Sequence, residues 1–209
     1  MTQHSEVQAP VTVALTGASG VQYGMRLIEC LFEANVPVFL MVSKAAQMVI
    51  ATETEEKWPA NPESLKSHLI EKYQISEDLL QVYGREDWMA PVASGSSGPG
   101  QMVICPCSTG TLSAVACGAS NNLIERAADV VLKERKKLIM VVREMPLSEI
   151  HLENMLKLSR MGAVVMPAAP GFYHEPKSLN DIVDFVVARI LDQLEVDQTM
   201  IPRWGYSNS

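Results

Sequence analysis

An apolar, β-branched run, VTVAL at 11–15, stops at Thr16-Gly17-Ala18-Ser19-Gly20 and passes directly into a segment with helical spacing. No other stretch limits the possible folds as strongly. A strand that turns into a helix over five small residues faces a helix N-terminus, where backbone N–H groups have no partner inside the helix. Glycine lets an anion come close to the main chain, and the Ser19 hydroxyl adds a donor. A phosphate-bearing nucleotide is one reading. A plain strand-to-helix turn, with glycines that permit close packing, is the other, and the turn alone does not choose between them.

Spacing narrows the nucleotide. The glycines fall at Gly17, Gly20 and Gly24, which is GxxGxxxG rather than GxGxxG. A NAD site also needs a carboxylate at the end of the second strand, to hold the ribose hydroxyls. The second apolar run, 36–42, ends instead in Ser43-Lys44. Lys44 suits the extra phosphate of NADP, so that cofactor is weakened but not excluded. FMN, with one phosphate and no adenosine ribose, fits better.

Strands and helices alternate along the rest of the chain. Strands are predicted at 11–15, 36–42, 80–83, 102–105, 138–142 and 163–166. Helices are predicted at 21–34, 45–52, 62–73, 108–117, 123–134, 147–160 and 179–194, with a Gly/Ser/Pro-rich loop at 84–100. This order implies an α/β fold: a three-layer, doubly wound parallel sheet in a single domain. The 209 residues, 47% apolar and 6% aromatic, suit such a sheet buried on both faces. Residues 1–10 read as a disordered lead, 11–195 as the domain and 196–209 as a tail.

A net charge of -7 argues against nucleic acid or an anionic membrane as partner. No apolar run reaches membrane-spanning length, and the first ten residues lack a signal peptide's layout. Cys30, Cys105, Cys107 and Cys117 show no paired metal-ligand spacing, and His4, His68, His151 and His174 are scattered. Each cysteine reads as a small buried apolar residue. No metal, no disulfide and a cytoplasmic location are therefore expected.

Ligands of doubly wound sheets bind beyond the carboxyl ends of the strands. The residues there are Gly17-Ala18-Ser19, Ser43, the hydroxyl-rich Ser108-Thr109-Gly110-Thr111, Arg143-Glu144, and a loop carrying Tyr173. Polar residues are common at such turns, so the set carries more weight than any member. Arg126 and Lys133, seven apart, share a helical face, with Asp129 near Arg126. Taken alone, that face reads as solvated ion pairs. Arg189 sits in the otherwise apolar FVVARILDQL, either snorkelling to solvent or meeting an anion.

Long stretches of the chain resemble one family. TGASGVQYG, SKAAQ with ATET, SGSSGP, CPCSTGTLSAVA, NLIERAADVVLKER, VVREMPLS, HLENMLKLSRMGAVVMPAAPGFYH and PRWG are similar to the flavin prenyltransferases, the UbiX-type proteins once described as decarboxylases. The resemblance runs from Val11 to Gly205. It implies a flavodoxin-like, Rossmann-like fold and a homo-oligomer, often a dodecamer. The implied reaction moves a dimethylallyl group from dimethylallyl monophosphate to N5 and C6 of reduced FMN, without metal. The product, prenylated FMN, would pass to a UbiD-type decarboxylase, for instance in ubiquinone biosynthesis.

Carried over by position, the resemblance places FMN contacts on Gly17, Ala18, Ser19, Ser43, Ser108, Thr109, Gly110, Thr111 and Arg143. Contacts to the prenyl phosphate fall on Tyr173 and Arg189, with Arg126, Lys133 and Glu144 around the same anion. Ser19, Glu53, Arg126, Lys133, Glu144 and Trp204 are the implied catalytic set, with Glu53 as acid/base carboxylate and Trp204 closing the tail over the site. The chain has no DDxxD motif for a magnesium-held diphosphate. Cationic side chains would then neutralise the leaving group. Blander readings exist: Glu53 as a solvated acid in ATETEE, Glu144 as the partner of Arg143, Trp204 as an interface residue. Two other functions share the fold. One is a cysteine decarboxylase of the phosphopantothenoylcysteine type, which relies on a His base where this chain has Glu53. The other is a non-catalytic FMN-binding module, which has no use for Arg126, Lys133 and Arg189.

Overall fold

In a computed structural model that describes residues 8–201, β1 (Val11–Leu15) is buried along its whole length. The glycine turn then leads into α1 (Val21–Glu33). β2 (Val38–Val42), α2 (Lys44–Glu53), α3 (Pro62–Tyr73) and β3 (Leu80–Tyr83) follow. β4 (Gln101–Cys107), α4 (Thr109–Ala116), α5 (Leu123–Lys133) and β5 (Lys137–Val142) form the second half, with α6 (Glu149–Arg160), β6 (Val164–Val165) and α7 (Leu179–Leu194). Two single 3-10 turns, Glu77–Leu79 and Pro91–Ala93, were not foreseen. The lead up to residue 7 and the tail from residue 202, Trp204 included, lie outside the described residues.

All pairings are parallel, in the order β3-β2-β1-β4-β5-β6. The chain reverses direction across the sheet between β1 and β4. Right-handed crossovers on either side of that point place helices on opposite faces, giving the expected three-layer, flavodoxin-like fold. Strand alternation sorts the two cores. Val13, Leu15, Leu40, Val103, Cys105 and Val141 pack beneath α1, α2, α3 and α7. Ala14, Met41, Met102, Ile104, Met140 and Val142 pack beneath α4, α5 and α6.

Several boundaries differ from the sequence reading by a residue or two, and three of them for a clear local reason. β2 starts at Val38 rather than 36, because Pro37 has no N–H to donate; its carbonyl accepts from Val11 N at 2.9 Å. β4 runs through Pro106 to Cys107, because the proline sits where the register with β5 shifts, a position at which a missing donor is tolerated. α6 begins at Glu149, because Ser148 caps it in a reciprocal capping box with His151.

The cysteine expectation holds for three of four. Cys30, Cys105 and Cys107 are buried and free, whereas Cys117, just after α4, is exposed. Burial pushes the thiols of Cys30 and Cys107 up to about 12, and that of Cys105 further. At pH 8 these three thiols should resist iodoacetamide in the native protein and all react in denaturant; peptide mass mapping reads the difference.

Gly24 shows how closely the layers meet. A Cβ there would lie 2.3 Å from the Cys105 carbonyl oxygen of β4. Gly24→Ala is expected to destabilise the fold by about 2 kcal/mol through overpacking, measured by urea unfolding.

Candidate active site

The carboxyl end of the sheet is organised by one hydroxyl. Thr16, buried just past β1, donates to Pro106 O at 2.8 Å and accepts from Ser108 N at 2.8 Å. It thereby ties the glycine turn to the start of α4. Ser108 caps α4 by accepting from Thr111 N, and its hydroxyl lies 3.1 Å from Thr111 Oγ1. Ser43 caps α2 in the same way, accepting from Ala46 N at 3.0 Å. Each cap satisfies only the third helical N–H. Among the described residues the amides of Lys44, Ala45, Thr109 and Gly110 have no partner, and the positive ends of two helix dipoles lie at the sheet's carboxyl edge.

Packing brings the turn and α2 together. A Cβ on Gly17 would lie 2.4 Å from Ala45 Cβ, so only glycine fits there. Gly20 adopts φ 92, and its N–H donates to Glu53 Oε2 at 2.8 Å. Glu53, at the end of α2, is thus held beside Ser19. On the other side, Arg143 Nε donates to Ser19 O at 3.0 Å, and its stem lies over Gly20. Glu144 follows on the surface, accepting from Thr109 Oγ1 at 3.4 Å and from Met145 N at 3.1 Å. Gly17 to Gly20, Ser43, Glu53, Ser108 to Thr111, Arg143 and Glu144 therefore form one constellation. A cavity of about 310 Å³ opens beside it, lined by Thr16, Ser43, Lys44, Thr111, Arg85 and Asn122 among others.

The remaining residues stand elsewhere in the chain. Tyr173 and Arg189 border a separate cleft of about 790 Å³ with Phe185. The Tyr173 and Phe185 rings meet edge to face at 5.5 Å, and Arg189 pairs with Asp192 at 2.5 Å. Arg126, on α5, donates through Nε to Ala93 O and pairs with Asp129 at 3.3 Å. Lys133 ends α5 and pairs with Glu134 at 2.5 Å. Because α5 runs antiparallel to β5, Lys133 lies at the amino edge of the sheet. Arg143 follows the carboxyl end of β5, a strand of six residues, roughly 20 Å away at about 3.3 Å per residue. A single chain does not bring Lys133 to Ser19 and Arg143.

Comparison with known proteins settles the family. The chain matches the Flavoprotein family over residues 1–191. It is 62% identical over 195 residues to flavin prenyltransferase UbiX of Pseudomonas aeruginosa, covering 93% of each chain. The chain belongs to the flavin prenyltransferase family. Solved structures similar to this prenyltransferase include AnUbiX (PadA1) in complex with FMN and dimethylallyl pyrophosphate, 38% identical, with a TM-score of 0.84 over 96% of this chain and 100% of that one. A dodecameric FMN-dependent UbiX-like decarboxylase from Escherichia coli O157:H7 is 40% identical, with a TM-score of 0.82 over 94% and 100% of the two chains.

The prenyltransferase constellation fits a flavin monophosphate. Four free amides, the Ser43 and Ser108 caps and Thr109 form a donor set for one dianion, and the glycine at 17 keeps the approach open. Among the described residues, no group of three or more His, Cys, Asp or Glu side chains could hold a metal ion.

Sequence reasoning did not single out Thr16, Asn122 or Arg85. Thr16 looked like the first residue of a turn, and only the β1–β4 pairing gives its hydroxyl two partners. Asn122 caps α5, accepting from Glu125 N at 3.1 Å; an Asn three residues before a Glu was an available signal. Thr16→Val should leave Ser108 N unpaired, while Pro106 O keeps the Thr16 main-chain N–H at 3.2 Å, costing about 2 kcal/mol of stability. Flavin affinity should fall with it; urea unfolding and a fluorescence titration measure the two effects.

Proposed function

We infer that this protein is a flavin prenyltransferase that joins a dimethylallyl group to N5 and C6 of reduced FMN. One observation carries the reading: 62% identity to a flavin prenyltransferase across 93% of the chain, supported by two serine-capped helix starts at the carboxyl edge of the sheet. The donor is dimethylallyl monophosphate, in keeping with the absence of a magnesium motif in the sequence. The product serves a UbiD-type decarboxylase, and the enzyme works in the cytoplasm as a homo-oligomer, a dodecamer by likeness to the E. coli structure. No helix among the described residues is long and apolar enough to cross a membrane.

Chemistry assigns a task to each group. Gly17, Ala18, Ser19, Ser43, Ser108 to Thr111 and Arg143 bind and orient the flavin. Tyr173, Arg189, Arg126 and Lys133 surround the prenyl phosphate and neutralise it as the allylic C–O bond breaks and its electron pair leaves with phosphate. Glu144 delivers a proton to that leaving group. The allylic carbon would bond N5 of the reduced flavin as the N5 proton leaves; protonation of the remaining alkene would then give a tertiary cation that C6 attacks, and the C6 proton would return to Glu53 or to the phosphate. Trp204 covers the reacting carbons.

The distance between Lys133 and the Ser19–Arg143 edge within one chain supports a site shared between copies. Cations on α5 and α7 of neighbouring copies then complete the flavin edge. Their pairings with Asp129, Glu134 and Asp192 are surface ion pairs of small individual worth, readily exchanged for a phosphate.

Anaerobic incubation with reduced FMN and dimethylallyl monophosphate should yield a heavier flavin by mass spectrometry, together with free phosphate. Return of unmodified flavin overturns the reading. Glu53→Gln and Lys133→Ala should each retain FMN yet slow product formation by about a hundredfold or more; unchanged turnover would remove those residues from the mechanism.

A further inference from the structure

Two cations in the cavity at the sheet's carboxyl edge have no partner. Lys44 and Arg85 both line it, and neither side chain makes a hydrogen bond or ion pair among the described residues. Every other basic group in the two α5 and α7 clusters has an acidic neighbour. The remaining charge in this cavity is Glu125, whose carboxylate is already committed. Its Oε2 accepts from Asn121 N at 2.8 Å and its Oε1 from Asn122 Nδ2 at 2.7 Å. The cavity wall therefore carries two cations against one carboxylate, and that carboxylate is bonded to amides rather than to either cation.

Arg85 is also held in place. It follows β3 by one glycine, and its carbonyl accepts from Leu123 N, the first amide of α5, at 2.8 Å. This bond anchors the Arg85 main chain to a helix start while leaving its guanidinium unengaged. Across the cavity are Ser43, Lys44 and Ala45 at the start of α2, and Thr111 at the start of α4. A guanidinium on one wall and an ammonium with free amides on the other make a clamp for a doubly charged phosphate.

We propose that Arg85, with Lys44, forms the cationic wall of the flavin phosphate subsite and sets the preference for FMN over unphosphorylated riboflavin. The proposal rests on the flavin reading above and deepens it. It assigns the phosphate to a residue from the β3 side of the sheet, where the sequence analysis placed only a loop.

Dissociation constants for FMN and riboflavin, from quenching of flavin fluorescence in the full chain, test it. The wild type should bind FMN far more tightly than riboflavin, and equal affinities overturn the proposal. Arg85→Gln should weaken FMN about tenfold and leave riboflavin unchanged. Lys44→Gln should shift FMN in the same direction by less, and Arg85→Lys should recover part of the loss. The salt dependence of FMN binding should become shallower in Arg85→Gln. Equal weakening of both flavins makes Arg85 a structural residue and overturns the proposal, as does unchanged FMN affinity. A wild-type protein that binds neither flavin overturns the functional reading as well, and this distinguishes the two failures.

Discussion

The Thr16 hydroxyl is the joint on which the flavin edge depends. It donates to the carbonyl of Pro106 and accepts from the amide of Ser108, so β1 and β4 are fastened at the point where the sheet reverses direction. A doubly wound sheet leaves a crevice there by topology alone. Topology does not, however, fix how far apart the two loops stand. Thr16 does that with its main-chain N–H and its hydroxyl together, and the cap of α4 begins directly beyond it.

From this joint the edge assembles by short-range bonds. The turn is pinned to α2 by the Gly20–Glu53 bond and to β5 by the Arg143–Ser19 bond. Two serine caps leave paired amides free on two helices. Cation placement then divides into two populations. Among the described residues Lys44 and Arg85 are unpaired beside the cavity at the sheet's carboxyl edge, whereas Arg126, Lys133 and Arg189 rest on acidic neighbours. An unpaired cation at a cavity wall is open to a ligand of that cavity. A paired one on a surface helix is available to another surface.

Much of this was legible from residues alone, because the governing signals are local. Leu179–Leu194 and Pro62–Tyr73 were bounded correctly, the first by apolar spacing after a serine and the second by Asn61-Pro62 at its start. The strand-end residues of the flavin edge were legible because strand order does not matter to them: any parallel sheet gathers its carboxyl ends. Pro106 misled, since a proline inside a strand is tolerated only at an irregularity that no sequence pattern announces. Arg85 was overlooked because its place at the cavity is set by the Leu123 amide, some forty residues on, and not by its neighbours in sequence. Within one chain Lys133 stands at the opposite edge of the sheet from Ser19, which helical spacing alone did not reveal.

Gly24 has a wider consequence. Where helix and strand touch main chain to main chain, their separation does not depend on any side-chain rotamer. Neighbouring core residues can therefore exchange over generations, or rearrange thermally, while the turn above α1 and the carboxylate it grips keep their coordinates. The precision of the reacting end is inherited from a contact that carries no functional group at all.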